Sequence, residues 1–114
     1  MGELAESDWK LFKELLPKWQ ESYMEMLIGQ YIEILNGGSE ASSRFWALEE
    51  RINRDKLSSG VLVNDIRRST MRYEIANLLS DNVITLDDLD GFTEDIKSYA
   101  RRCACLLYTS PSPR

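Results

Sequence analysis

The sequence predicts an all-α protein, a compact bundle of about five helices, and three observations support this fold class. Over most of the chain, apolar residues recur at spacings of three and four, the period of a helix with one buried face. Glycines are few and Pro17 is the only proline before residue 103, so the elements should be few and long. With 114 residues, of which 43% are hydrophobic and 29% charged, the chain fits one globular domain.

Two consecutive helices are predicted at the start of the chain. Ser7 or Asp8 is a suitable N-cap for a short apolar helix over residues 8–16. That helix is expected to end before Pro17, because proline disfavours helix in the preceding residue. Proline also suits the first turn of a second helix, predicted over residues 17–36 and stopped by an Asn-Gly-Gly sequence. Its apolar residues are Trp19, Tyr23, Met26, Leu27, Tyr31, Ile34 and Leu35.

A third and a fourth helix are predicted in the middle of the chain. The third begins at one of the serines in positions 39–43, runs to about Leu57 and carries an apolar face that we expect to be buried. The residues of that face are Phe45, Leu48 and Ile52. A Ser-Ser-Gly sequence then interrupts the helical pattern, and the fourth helix is predicted over residues 61–80, up to a polar turn. A short extended stretch over residues 61–63 is the alternative to its first turn.

The fifth helix completes a single domain over residues 1–102. It is predicted to begin at Thr85, and Gly91 inside it weakens the helix by ~1 kcal/mol relative to alanine and marks a candidate kink. Residues 103–114 lose the helical period and become rich in serine and proline. Residues 106–114 resemble the translated adaptor sequence that ends many metagenome-derived reading frames, so we favour an artefact, with a genuine disordered tail as the alternative.

Charge and hydropathy limit the classes of partner. The net charge of −5 argues against general nucleic-acid binding, because that affinity depends on neutralising phosphates. No apolar segment approaches the ~20 residues needed to span a bilayer. Residues 1–7 lack the pattern of a secretory signal. We therefore expect a cytoplasmic protein that does not insert into a membrane.

The sequence offers few candidates for catalysis. Histidine is absent, and Cys103 and Cys105 lie in the predicted tail without the further ligands that a zinc site needs. A metal-dependent enzyme built on carboxylates would need Asp87, Asp88 and Glu94 to converge in space. We favour the simpler interpretation that these acids stabilise the start of a helix and hydrate the surface. The sequence thus predicts no catalytic residues, no metal site and no cofactor.

The densest basic cluster consists of Arg67, Arg68 and Arg72. On a helix the last two would lie four residues apart on one side, where they could hold a phosphate or an acidic partner. The cluster falls in a net positive segment, residues 44–72, between two net negative ones. We favour pairing of these arginines with acids of the same chain, and binding to an acidic partner is the alternative.

Trp46 lies one residue away from the apolar face of the third helix. It either widens the buried face or stands at its edge, where tryptophan is enriched among the residues that anchor interfaces. We favour burial in the core. Trp46 is nevertheless kept, with Arg67, Arg68 and Arg72, in the set of candidate partner-binding residues.

Over about residues 8–100, short motifs resemble a group of short bacterial proteins that automated labelling often calls "multidrug transporter". The motifs are Asp8-Trp9, Leu11-Phe12, Leu16-Pro17, Trp19-Gln20-Glu21, Tyr23-Met24, Phe45-Trp46, Leu48-Glu49, Arg51-Ile52 and Asp81-Asn82-Val83-Ile84. The label does not fit, because a chain without a membrane-length apolar segment cannot form the helices of a transporter. The resemblance implies a bacterial or mobile-element origin and transfers no activity and no site residues.

The expected function is the binding of a protein partner without catalysis. By analogy with small acidic proteins of similar origin, such as anti-CRISPR proteins, the chain would act as a stoichiometric inhibitor or regulator of a larger bacterial protein. The alternative is a nucleic-acid-binding regulator that presents Arg67, Arg68 and Arg72 to phosphates. Homo-oligomerisation is compatible with either function, because aromatic-rich helices can bury their outer faces against a second copy.

Overall fold

The structure, a computed structural model, describes residues 5–63 and 66–109. Every regular element in these residues is helical, which confirms the all-α class. There are four α-helices where about five were predicted, and two short 3-10 helices lie in the connections between them. The elements are α1 (Glu6–Leu35), α2 (Ala41–Asp55), the 3-10 helix Arg68–Thr70, α3 (Met71–Ser80), the 3-10 helix Leu86–Leu89 and α4 (Glu94–Thr109).

The two helices predicted over residues 8–16 and 17–36 form the single helix α1, so the predicted break at Pro17 was wrong. A proline inside a helix removes one backbone hydrogen bond and costs ~3 kcal/mol. Here the affected turn lies at the surface, where Pro17 is exposed and water can solvate the freed carbonyl. Leu16 on one side of the proline and Trp19 on the other both pack into the core, and this burial keeps the helix continuous.

The hydrophobic core lies where the first half of α1 meets α3, the second 3-10 helix and α4. Its largest fully buried apolar side chains are Phe12, Met71, Ile75, Leu78, Leu89 and Ile96. A row of aromatic rings runs along α1 from Trp9 through Phe12 to Trp19 and on to Phe92, with neighbouring centroids 6.2 to 6.3 Å apart. This spacing is typical of stabilising aromatic pairs.

Asp8 links the start of α1 to the start of α4. The sequence suggests it as a cap of its own helix, but its carboxylate accepts hydrogen bonds from the backbone N–H (2.9 Å) and the hydroxyl (2.5 Å) of Thr93, the residue before α4. The side chain of Asp8 is 2% exposed. Burial of this charge is offset by two charge-assisted hydrogen bonds and by the positive end of the α4 dipole.

The predicted fourth helix is shorter than expected. Residues 57–62 form turns, in which the N–H groups of Val61 and Leu62 donate to the carbonyl of Ser58 at 3.0 Å, and α3 begins only at Met71. Part of the predicted helix, residues 64–65, lies outside the described residues. Gly60 accounts for the absence of a helix at the start of this segment, because its backbone packs directly on the ring of Tyr23 in α1. This close approach holds the loop against α1, so the backbone cannot enter a helix there.

α3 ends at Ser80, at the polar turn. Asn82 adopts a left-handed conformation with φ of 61°, which asparagine tolerates better than most residues. The N–H of Val83 then donates to the carbonyl of Leu78 at 2.9 Å, and the N–H of Asn82 donates to the carbonyl of Leu79 at 3.1 Å. These two bonds satisfy carbonyls that the helix end leaves free.

The predicted fifth helix is divided into the 3-10 helix at residues 86–89 and α4. Thr85 and Asp88 form a capping box at the start of the first part, in which the Asp88 carboxylate accepts the Thr85 N–H at 2.7 Å. Gly91 lies in the interruption. α4 continues beyond Arg102 to Thr109, so it enters the segment predicted as a tail; residues 110–114 lie outside the described residues.

The second half of α1 leaves the core and pairs with α2. A turn at residues 36–40 connects the two helices, which run antiparallel. Because this hairpin projects from the core, the molecule is elongated, with extents of 56 × 34 × 22 Å. Among the described helices, none combines the length and the hydropathy required to cross a bilayer.

The close packing of the 57–62 loop on α1 predicts a specific effect of Gly60→Ala. The added Cβ would overlap the ring of Tyr23, so we expect the free energy of unfolding to fall by ~1–3 kcal/mol. Urea denaturation followed by far-UV circular dichroism measures it. Gly29→Ala in α1 is the control, because nothing lies within 4 Å of its Cβ and stability should be kept or rise by up to ~1 kcal/mol. Equal stability of Gly60→Ala and wild type would contradict this packing.

Candidate binding surface

The projecting hairpin is the most distinctive surface of the molecule. We call residues 24–35 of α1 together with α2 the arm. Inside the arm, Leu27 is 4% exposed, and Tyr31 and Ile34 are half-buried along the same side of α1. Leu48 is half-buried on the facing side of α2. These residues, spaced by three and four, form the seam between the two helices.

A polar network at the end of the arm away from the connecting turn fixes the register of its helices. The hydroxyl of Tyr31 donates to Asp55 at 2.7 Å, and Arg51 lies 3.3 Å from the same carboxylate oxygen. Arg51 also donates to the side-chain oxygen of Gln30 at 2.6 Å and lies over the Tyr31 ring. At the other end of the arm, Arg44 donates to the backbone carbonyl of Leu35 at 2.8 Å. Each bond has a defined donor and acceptor, so a slip of one helix along the other would break several.

The environment of this network shifts the pKa values of Asp55 and Tyr31. Burial alone would raise the pKa of Asp55, but the hydrogen bond from Tyr31 and the charges of Arg51 and Arg54 outweigh it and hold the pKa below its ordinary value. Burial, followed by the hydrogen bond to Asp55, raises the pKa of Tyr31 to about 12. The phenol therefore stays protonated as a donor and the carboxylate stays ionised as an acceptor across the physiological pH range.

One side of the arm is apolar and exposed. We call this side the arm face; its residues, with their exposed fractions, are Ile28 (48%), Ile32 (51%), Leu35 (41%), Phe45 (62%) and Ile52 (41%). The three α1 residues follow at spacings of four and three, and the two α2 residues are seven apart, so each set lies along one side of its helix. Ile28 and Ile52 also line a common groove of about 200 Å³ with Met24, Leu27 and Val61, which shows that both helices contribute to the same side.

The expectation that Phe45 and Ile52 lie in a buried face was wrong. The stripe exists, but only Leu48 turns toward α1, and the core lies too far along α1 for α2 to reach it. Trp46 is not in the core either: it is 62% exposed and its ring meets that of Phe45 edge-on at 4.9 Å. The two rings form an exposed aromatic pair at the edge of the arm face.

Arg68 and Arg72 contact different parts of the chain. The guanidinium of Arg68 donates two hydrogen bonds to Glu6, at 2.9 and 2.7 Å, and lies over the ring of Trp9. Its hydrogen bond lowers the pKa of Glu6. Arg72 instead pairs with Asp95 of α4 and lies over the ring of Tyr99.

Arg67 precedes the first 3-10 helix, and its backbone N–H donates to Thr70 Oγ1 at 3.2 Å. Arg68 and Arg72 thus reach different elements, α1 and α4. The contacts of Arg68 and Arg72 match the favoured interpretation, in which the arginines pair with acids of the same chain.

Three acidic residues near the C-terminal elements, Asp81, Asp88 and Glu94, have partners within the chain. Asp81 accepts the N–H and the hydroxyl of Ser59, at 3.0 and 2.8 Å, and Glu94 pairs with Arg101. Asp88 caps the second 3-10 helix. Within residues 5–63 and 66–109, no three acidic or cysteine side chains converge as a metal site would require.

Comparison with known proteins identifies no relative. No family model matches the chain, and no curated protein or solved structure gives a significant match. The function of the arm is therefore inferred from its geometry and chemistry.

The Asp55 network makes the stability of the arm dependent on pH. Because the pKa of Asp55 is lower in the folded state, its contribution is complete above its unfolded value, near pH 4, and is lost as the pH falls through the folded value. Asp55→Asn should therefore cost ~2 kcal/mol near pH 7 and progressively less below about pH 4. Urea denaturation at a series of pH values measures this difference.

Glu25→Gln is the matched control for Asp55→Asn, since Glu25 is an exposed acid on the same arm. We expect it to change the free energy of unfolding by less than about 0.5 kcal/mol at any pH. A difference between Asp55→Asn and wild type that does not shrink in acid would contradict the role assigned to the ionised carboxylate.

Proposed function

We propose that this chain is a cytoplasmic, non-enzymatic protein-binding module and that the arm is its binding surface. The observation that carries the proposal is the exposure of the arm face together with the aromatic pair Phe45 and Trp46. Isolated apolar side chains are common on protein surfaces, but a contiguous patch on a projecting element is typical of an interaction site.

The residue types of the patch favour a protein partner. Phe45 and Trp46 offer large rings to a partner, and tryptophan is enriched among the residues that dominate the energy of protein interfaces. Isoleucine and leucine around them provide a rim that excludes water once the surface is covered.

The arm is also prepared for binding by its rigidity. α1 continues without a break from the core into the arm, and the Tyr31–Asp55–Arg51 network fixes α2 against it. A surface that is already ordered loses little conformational entropy when a partner binds. The same contacts therefore give a higher affinity on this arm than they would on a flexible hairpin.

We extend the proposal to a stoichiometric mode of action, in which the chain inhibits or regulates a larger bacterial protein. This extension is supported by the small size of the chain, by its net charge of −5 and by the analogy to small acidic inhibitors of mobile-element origin. The alternative of nucleic-acid binding is weakened by the ion pairs of Arg68 and Arg72, because guanidinium groups paired with acids contribute less to neutralising phosphates.

An affinity experiment with matched variants tests the proposal. Immobilised full-length chain is incubated with nuclease-treated bacterial lysate, and bound proteins are quantified by mass spectrometry. We expect Phe45→Ala with Trp46→Ala to reduce capture of a specific protein about tenfold or more, because both residues lie in the proposed contact. Tyr73→Ala is the control, since Tyr73 is an equally exposed aromatic residue (65%) on α3, outside the arm.

Circular dichroism establishes that both variants keep the helical content of the wild type. Equal capture by the arm variant and the wild type would refute the arm as the binding surface. Turnover of any substrate by the purified chain, unaffected by the arm variant, would refute the non-enzymatic class.

A further inference from the structure

The arm face runs along two neighbouring helices, and its shape fits a third helix. On α1, Ile28 and Leu35 are seven residues apart, and on α2, Phe45 and Ile52 are seven residues apart. Seven is the repeat at which side chains of helices that lie along one another interlock. At one end of the face, Ile28 and Ile52 line the apolar groove of about 200 Å³. An amphipathic helix that binds along such a surface places one apolar stripe in the groove.

Acidic side chains flank the arm face on both helices. On α1, the exposed Glu25 lies three residues before Ile28. On α2, the exposed Glu49 lies four residues after Phe45 and three before Ile52. Successive residues of a helix are ~100° apart around its axis. By this spacing, each glutamate lies on the flank of the arm face that is farther from the seam.

The charges of these two glutamates are not balanced within the described chain. In residues 5–63 and 66–109, no basic side chain lies within ion-pair distance of Glu25 or Glu49. Glu49 accepts a hydrogen bond from the amide of Asn53 at 2.6 Å, and this neutral donor leaves the negative charge in place.

The arginines of α2 do not supply the missing positive charge, because each contacts another group of the arm. Arg44 donates to the backbone carbonyl of Leu35, and Arg51 and Arg54 both lie within ion-pair distance of Asp55. The flanks of the arm face are therefore negative, and the surface that complements them is positive.

One basic side chain restricts where the positive charges of a partner can lie. Lys56, the residue after α2, lines the groove at the end nearest the core. A basic side chain of the partner placed beside Lys56 would meet a like charge. The complementary charges therefore belong beside Glu25 on the outer flank of α1 and beside Glu49, farther along α2.

The same charges argue against a second copy of this chain as the occupant. If two arms pack face to face with Phe45 of each over Ile52 of the other, the two-fold axis passes near residues 48–49. Glu49 then meets its own symmetry mate, and like charges at that position oppose the contact.

We propose that the arm face binds an amphipathic helix of a partner protein, with lysine or arginine on both flanks of its apolar stripe. The stripe fills the groove, and the basic side chains meet Glu25 and Glu49. The apolar contacts provide most of the affinity, and the charges select the partner. This inference rests on the proposed function and extends it by naming the class of partner segment.

A library of displayed helical peptides tests the proposal against the immobilised full-length chain. The peptides, about 20 residues long, carry a fixed leucine stripe at heptad spacing, and the positions beside the stripe are randomised among lysine, glutamine and glutamate. Retained peptides are counted by sequencing. At low salt we expect lysine to be enriched about tenfold or more over glutamate, with a smaller preference at about 0.5 M salt. Equal recovery of lysine and glutamate, or no retention above the unselected library, would overturn the proposal.

Charge reversal on the chain locates the preference. Glu25→Lys with Glu49→Lys should invert it, so that glutamate becomes the enriched residue. Glu33→Lys with Glu50→Lys is the matched control: it changes the net charge equally, but these exposed acids lie roughly 130–150° around their helices from the arm face. The control should keep the preference for lysine. Inversion by both pairs would contradict the assignment, because the preference would then follow net charge.

The outcomes separate this inference from the proposed function. Phe45→Ala with Trp46→Ala should reduce peptide retention about tenfold or more, and unchanged retention would overturn the arm face as the peptide site. A chain that retains no peptide, yet captures a lysate protein through Phe45 and Trp46, overturns the basic helix and leaves the arm as a binding surface. A chain that retains no peptide, and whose lysate capture does not depend on these two residues, overturns both.

Sedimentation equilibrium of the full-length chain tests the competing occupant. We expect no dimer that depends on the arm face up to about 200 μM. A dimer that Ile28→Glu abolishes would overturn the proposal, because a second copy would then occupy the face.

Discussion

The whole architecture depends on α1 being one uninterrupted helix. Its 30 residues extend for ~45 Å, longer than the core alone requires, so the first half can be buried while the second half projects. Pro17 lies between these halves at the surface, and the packing of Leu16 and Trp19 on either side outweighs the hydrogen bond that it removes. A break at this position would separate the core from the arm and leave α2 without a fixed orientation.

Polar contacts at three levels hold the rest of the chain to α1. Asp8 binds the start of α4 at one end, and Tyr31 binds α2 through Asp55 near the other. Between them, Gln20 donates to the carbonyl of Ser59 at 3.1 Å, where Gly60 packs on Tyr23. Each contact joins segments far apart in sequence, so α1 aligns the remaining elements as a common support.

The sequence predicted the helical class and the positions of most apolar stripes, because both follow from local periodicity. It did not predict which stripes are buried. Phe45 and Ile52 have the spacing of a core face, and only the length of α1, itself misjudged at Pro17, places α2 beyond the core. The signal that could have identified the arm face is the width of the apolar sector on α1, where Ile28 and Ile32 adjoin Leu27 and Tyr31.

Within the arm, the usual distribution of polar and apolar groups is partly reversed. Asp55, 7% exposed, is buried beside the half-buried Arg51, whereas Phe45 and Trp46 face outward. A buried ion pair contributes little net stability but can specify one register, because any other register leaves a buried charge unpaired. The seam thus fixes the geometry of the arm, and the apolar residues that an isolated hairpin would use for stability remain available to an interface. This division of roles is the physical basis of the proposal that Phe45 and its neighbours contact a partner.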